Sequence, residues 1–170
     1  MKHLKSVYAG LDRIITLGGL VAGIFILCAT GMIFYEVVSR FLFNAPTIWA
    51  TELSIYTIIG SCFFGAAYTL RRNGHIRVDL LLHNVSAPIR KGLLMVTCVI
   101  GLIFSIVFTV YGWEHVISSK EFGFTSASLL RIPMYIPEML LPLGGILLCF
   151  SFLLQFIDTM NGKEQEEELE

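Results

Sequence analysis

The sequence predicts an all-α membrane protein with four transmembrane helices, and three observations predict it. Of 170 residues, 55% are apolar and only 15% charged, where a soluble domain carries about a quarter charged residues; the mean hydropathy is +0.75. Charged side chains are missing from four runs, Ile14–Tyr35, Leu53–Leu70, Gly92–Trp113 and Met139–Ile157, of 22, 18, 22 and 19 residues. In a helix, about 20 apolar residues cross the ~30 Å hydrocarbon core of a bilayer. None of the runs alternates apolar and polar over about ten residues, as a transmembrane barrel strand does. A lone span in lipid must close its own backbone hydrogen bonds, and so is helical. The 12 Lys+Arg against 13 Asp+Glu leave a net charge of −1, with no basic face to neutralise phosphates, which disfavours nucleic-acid binding.

The first span is expected over about residues 14–38, and its run Ile14–Tyr35 holds 11 Leu, Ile, Val or Phe residues. Each of these contributes at most a few tenths of a kcal/mol to insertion, whereas one central Arg or Asp would cost about 2.5–3.5 kcal/mol. The run is longer than the apolar core of a signal peptide, and no small-residue cleavage site with a polar exit comes after it, so it reads as an uncleaved anchor. Asn44-Ala45-Pro46 is a turn signal in the short loop Phe41–Ile48, which makes the first two spans antiparallel neighbours. The second span is expected over about 50–70.

Beyond it, Val78, Leu82, Val85 and Ile89 recur at helical spacing, with Asp79, His83 and Arg90 on other faces. That pattern predicts an amphipathic interfacial arm over about 75–90. The third span is expected over about 92–113. The next segment sets Phe122, Phe124, Leu129, Leu130 and Ile132 among Ser, Thr and Gly. It is too apolar for a free loop and too polar to span, so a second interfacial arm, or a surface covered by a partner, is expected over about 114–132. Pro133 and Pro137 lead into the fourth span, over about 136–157, which Pro142 is placed to bend. Residues 1–158 thus make one membrane domain, and 159–170 an acidic, solvated tail.

Nine Lys and Arg residues flank one side of the spans: Lys2, Lys5, Arg13, Arg71, Arg72, Arg77, Arg90, Lys91 and Lys163. Only Arg40, Lys120 and Arg131 flank the other. The positive side faces the cytoplasm, so both termini are expected there. Trp49 and Trp113 then become anchors at the outer interface. Cys28, Cys62, Cys98 and Cys149 fall one in each span and read as small apolar residues, without disulfide or metal.

Glu36 and Arg40 are four residues apart at the outer end of the first span and share a helical face; Glu52 opens the second span on the same side. An ionisable group in a membrane raises the question of proton or sodium coupling. A coupling carboxylate belongs near the midplane, however, and these sit at the edge, which favours a structural role. His3, His75, His83 and His115 all lie outside the four runs, against a haem-bearing anchor, whose ligands belong within the helices. Gly19-x-x-x-Gly23, and Ser61 with Gly65, permit close helix packing. No phosphate loop, nucleophile triad, zinc pattern or dinucleotide fingerprint is present, so no catalytic, cofactor-binding or metal residue is assigned.

The run Arg40-Phe41-Leu42-Phe43-Asn44-Ala45-Pro46, then Trp49 and Thr51-Glu52-Leu53, resembles the first-loop signature of the small membrane subunits of tripartite ATP-independent periplasmic (TRAP) transporters. The similarity continues in Gly65-Ala66-Ala67, in Gly74-His75-Ile76-Arg77-Val78-Asp79, and from Ser126 to Pro137. The resemblance implies a small, non-catalytic (DctQ-like) subunit of a sodium-coupled importer of an organic acid, such as a C4-dicarboxylate, sialic acid or a similar carboxylate. It further implies a large membrane subunit that carries the substrate and sodium sites, and a periplasmic binding protein that delivers substrate in the bacterial inner membrane. Glu36, Arg40, Glu52, His75 and Asp79 then become structural or interface residues, and Arg40, Lys120 and Arg131 a docking surface for the binding protein. Membrane lipids are the remaining partner. The competing expectation is an autonomous four-helix ion-coupled transporter.

Overall fold

A computed structural model describes residues 2–72 and 87–161. Its elements are α1 (Lys2–Phe43), α2 (Ile48–Arg71), α3 (Ala87–Glu121), the single turn α4 (Tyr135–Glu138) and α5 (Leu140–Asn161). Among the described residues, four helical segments are long and apolar enough to cross a membrane. The all-α architecture expected of the sequence is what forms: among the described residues the only extended pairing is an isolated bridge between Thr125 and Pro133.

The helices outrun the uncharged runs. At 1.5 Å per residue, the 42 residues of α1 measure about 63 Å and the 35 of α3 about 52 Å, while the 24 of α2 and the 22 of α5 measure about 36 and 33 Å. Residues 114–121, expected to begin an interfacial arm, are instead the last two turns of α3; irregular backbone begins only after Glu121. The reason is local. Glu114-His115-Val116-Ile117-Ser118-Ser119-Lys120-Glu121 contains no Gly or Pro, and Gly123, with φ of 64°, is the first residue suited to end the helix. The arm expected over 75–90 lies outside the described residues, apart from its end at 87–90, which is the first turn of α3.

Two antiparallel pairs, α1 with α2 and α3 with α5, are joined where α2 lies beside α5; α5 also touches α1. Small side chains line this seam and the packed faces beside it. Ala50, Ser54, Gly60, Ser61 and Ala67 are buried on α2, and Gly144, Gly145 and Ser151 on α5, with Gly144 against Phe63 of α2 and Gly145 against Phe108 and Thr109 of α3. Without a hydrophobic drive between helices in lipid, close approach and dispersion hold spans together, and small residues allow both. Several contacts set an aromatic ring on a glycine: Tyr68 on Gly19, Phe25 on Gly60, Phe152 on Gly101 and Phe63 on Gly144. A Cβ at any of these glycines would lie closer than 3.0 Å to ring or Cβ atoms. Ser151 Oγ donates across the seam to the Ala67 carbonyl, at 2.8 Å.

Of the packing residues expected from sequence, Gly19 meets Tyr68, Gly65 faces the Ala22 methyl at ordinary contact distance, and Ser61 is buried with its hydroxyl on the Ile58 carbonyl. Gly23 does not join them: nothing lies within 4 Å of where its Cβ would be. The GxxxG spacing therefore marks one contact rather than two. Pro142 sits in the first turn of α5, three residues after the break at Met139 that separates α4 from α5.

Candidate functional site

The described charged side chains collect at the two ends of the bundle. At the end carrying both termini, Arg71, the last residue of α2, reaches two helices at once. Its Nε lies 2.6 Å from Asp12 Oδ1 on α1, and its Nη1 lies 2.6 Å from Asp158 Oδ2 on α5. The Tyr8 ring stands 5.2 Å from the guanidinium carbon; its hydroxyl accepts from Arg71 and donates to Asp158. Arg71 and Asp158 are visible in the sequence as charges bounding two apolar runs, and Asp12 lies beside Arg13, which bounds another. Their convergence is not, because it depends on which helices are neighbours.

At the opposite end stand the sequence-predicted carboxylates. α1 stops at Asn44, whose φ of 51° puts it in the left-handed region that Asn tolerates. Pro46 blocks continuation, and the chain turns so that Thr47 precedes α2. Glu36, buried on α1, accepts from the Thr47 N–H at 2.8 Å and from the Thr47 hydroxyl. This bond ties the end of one span to the start of the next. The Glu36–Arg40 ion pair that their spacing allows does not form: Arg40 is exposed, beside a shallow recess shared with Glu36, Thr51 and Ser54. The N-terminal donors of α2 hold Glu36 on the other side.

Glu52, one turn into α2 and buried, accepts from Tyr56 Oη at 2.7 Å and from the Ser128 hydroxyl. Ser128 belongs to a hairpin-like loop, 122–134. The loop is closed by Ser126 N–H on the Ile132 carbonyl and Met134 N–H on the Phe124 carbonyl, both 2.9 Å. Its turn includes Arg131 at φ of 46°, with Leu129 84% exposed at the tip. Glu52 is therefore the post to which this loop is fastened. Between Glu36 and Glu52 lies a recess of about 490 Å³, walled by Pro46, Ile48, Ile55 and the hairpin residues Ser126–Ser128. A third carboxylate, Glu138, takes His115 Nε2 at 3.3 Å, and its buried Oε2 accepts no hydrogen bond from the described residues.

Arg40, Lys120 and Arg131 are all exposed at this hairpin end. Trp49, against Tyr35 at 5.6 Å between ring centroids, lies half-exposed in the first turn of α2, and Trp113 is half-exposed on α3 at the same end. His75 and Asp79 lie outside the described residues. No group of three His, Cys, Asp or Glu side chains suited to a metal ion occurs among the described residues. Sequence reasoning missed Thr47, Tyr56, Ser128, Asp12, Asp158 and Tyr8. Only the two aspartates carried a signal, as charges next to apolar runs.

Fold and polar clusters together define a multi-pass helical membrane protein. The family of tripartite ATP-independent periplasmic transporters, DctQ component, matches residues 29–162, and the chain belongs to it. That family supplies a permease subunit of a transporter. Among relatives, the C4-dicarboxylate TRAP transporter small permease protein DctQ of Rhodobacter capsulatus is 31% identical over 106 residues, covering 62% of this chain but 46% of the relative. The chain thus matches less than half of that relative's length. The protein of the same description from Vibrio cholerae is 28% identical, covering 83% of this chain and 73% of its own. The sialic acid TRAP transporter small permease protein SiaQ of Vibrio cholerae is 22% identical, covering 94% and 87%.

Proposed function

We propose that this chain is the small, non-catalytic membrane subunit of a sodium-coupled TRAP importer of an organic acid, a C4-dicarboxylate, sialic acid or a related carboxylate. It packs against a large membrane subunit as scaffold and stabiliser, and its hairpin end helps receive a periplasmic binding protein. Sodium and substrate sites belong to the large subunit, and this chain takes no cofactor. It sits in the bacterial inner membrane with both termini in the cytoplasm, the hairpin end facing the periplasm.

One observation supports this reading above the others. The four spans carry no Asp, Glu, Lys, Arg or His side chain between the charged clusters at their ends, whereas a transporter's own ion and substrate sites sit near the bilayer midplane. A subunit with buried charge only at its ends is suited to holding helices in place while another chain moves.

The test is affinity purification of the tagged chain from native membranes in mild detergent, and then mass spectrometry. Recovery of a much larger polytopic protein in stoichiometric amount is the expected result. Recovery of the chain alone, with ion-coupled transport after reconstituting it by itself, would overturn the proposal in favour of an autonomous transporter.

A further inference from the structure

We infer that the recess between Glu36 and Glu52 is the seat of a Lys or Arg side chain carried by a transmembrane helix of the large subunit, resting on the assignment to that assembly made above. Both carboxylates are buried, at 9% and 8% exposure. Each is held only by hydroxyl or amide donors: Thr47 for Glu36, Tyr56 and Ser128 for Glu52. Among the described residues neither has a cation within ion-pair distance; Arg40 shares a second recess with Glu36 and its charge reaches that carboxylate only from beyond contact. Two carboxylates withdrawn from water at the edge of a bilayer, without an ion-pair partner, are costly groups to keep. A partner's cation would offset that cost.

The walls narrow the choice of cation. Pro46, Ile48, Ile55 and Met134 give the recess apolar sides, and its volume of about 490 Å³ exceeds what an ion needs. A charged head on an apolar stem, the shape of Lys or Arg, fills such a space. A phospholipid with an ammonium headgroup would also bring its phosphate against the same carboxylates, which disfavours it.

The surroundings indicate that the stem comes from a membrane helix. From the recess a stripe of exposed side chains, Ile48, Thr51, Ile55, Ile59 and Cys62, runs down one face of α2 toward the middle of the bilayer. The spacing of three and four residues is that of a helix-packing face. A helix laid along this stripe would place its outer end at Glu36 and Glu52. A soluble binding protein, by contrast, could not track the stripe into lipid.

The experiment is made on the whole complex in native membranes. Truncating one side of a desolvated charge pair weakens association by about tenfold or more. Accordingly, E36Q and E52Q should each lower the amount of large subunit recovered with the tagged chain by about that factor, at unchanged membrane level of the small subunit. Recovery at the wild-type level in both variants would overturn the inference. Because Glu52 also holds the hairpin, a second measurement does not depend on these variants: a photo-reactive amino acid in place of Ile55. A crosslink to a Lys- or Arg-bearing membrane helix of the large subunit is expected. Crosslinks to the binding protein, to lipid alone, or to nothing in a complex that still co-purifies would overturn it. Absence of any complex with the wild-type chain would overturn the assignment itself, so the two failures are told apart by the wild-type yield.

Discussion

Arg71 serves two carboxylates on two different helices, and its place at the end of α2 makes it the junction of three spans. Its side chain is 16% exposed, and that of Asp158 11%, so neither is fully compensated by water if the other is removed. Removing one partner of a largely buried pair costs about 3–5 kcal/mol, because the remaining charge stays buried. R71M is expected to lower the melting temperature in detergent by a loss at the low end of that range. D158N added to R71M should cost less than the sum of the single changes, as contacting residues do; strict additivity would mean that the pair contributes nothing as a pair. The glycines make a second case at this scale. G144A forces a methyl against Phe63 and should cost about 1–3 kcal/mol through overpacking. G23A, with open space around it, should stay within about 0.5 kcal/mol of wild type. Thermal melting of the two variants side by side checks both, and equal losses would mean that Gly144 is not a close-packed contact.

At the scale of elements, the loop 122–134 shows how a segment of mixed polarity is ordered without regular structure. Two backbone bonds close it, and Ser128 anchors it to Glu52 while also accepting the Leu130 N–H. S128A removes the anchor and leaves a buried carboxylate oxygen without its donor, at a cost of about 1–3 kcal/mol. Hydrogen–deuterium exchange should then speed up across 122–134 and hardly change in α3; uniform acceleration through both would show that the loop is not a separate unit. The sequence indicated that this stretch is neither loop nor span, but not its hairpin shape, which depends on Glu52 lying 76 residues away. The uncharged runs located the helices because desolvating a charge outweighs the gain from several apolar residues. They did not locate the ends of α1 and α3, where charged residues continue the helix into the interface and only Asn44, Pro46 and Gly123 stop it. Likewise, Glu36 and Arg40 share a face, yet the nearer donors of Thr47 decide where the carboxylate points.

For the molecule as a whole, orientation and docking are the testable consequences. With the termini inside, a membrane-impermeant thiol reagent added to spheroplasts should label L129C, at the hairpin tip, and leave G10C unlabelled until the membrane is opened. The reverse pattern would invert the topology. Arg40, Lys120 and Arg131 all emerge at the hairpin end, so R40E, K120E and R131E should each slow transport driven by the binding protein, most strongly at low salt. Unchanged transport in all three would remove the docking role. Overall architecture was legible because membrane insertion depends on composition over whole spans. Which helix touches which was not, because lipid-facing and helix-facing apolar residues are chemically alike, and close packing here is decided by aromatic-on-glycine contacts with no fixed spacing.

The unequal helix lengths have a consequence outside the membrane. The uncharged runs inside α1 and α3 are 22 residues each, about 33 Å, and match the thickness of a bilayer as well as α2 and α5 do. Their surplus length is charged: α1 extends beyond its run by residues 2–13 at the end of the termini, and α3 by residues 114–121 at the hairpin end. These overhangs stand clear of the hydrocarbon as helical posts of about 18 and 12 Å at opposite ends of the bundle. Whatever reaches either end from water therefore meets a formed helix before it meets the bilayer.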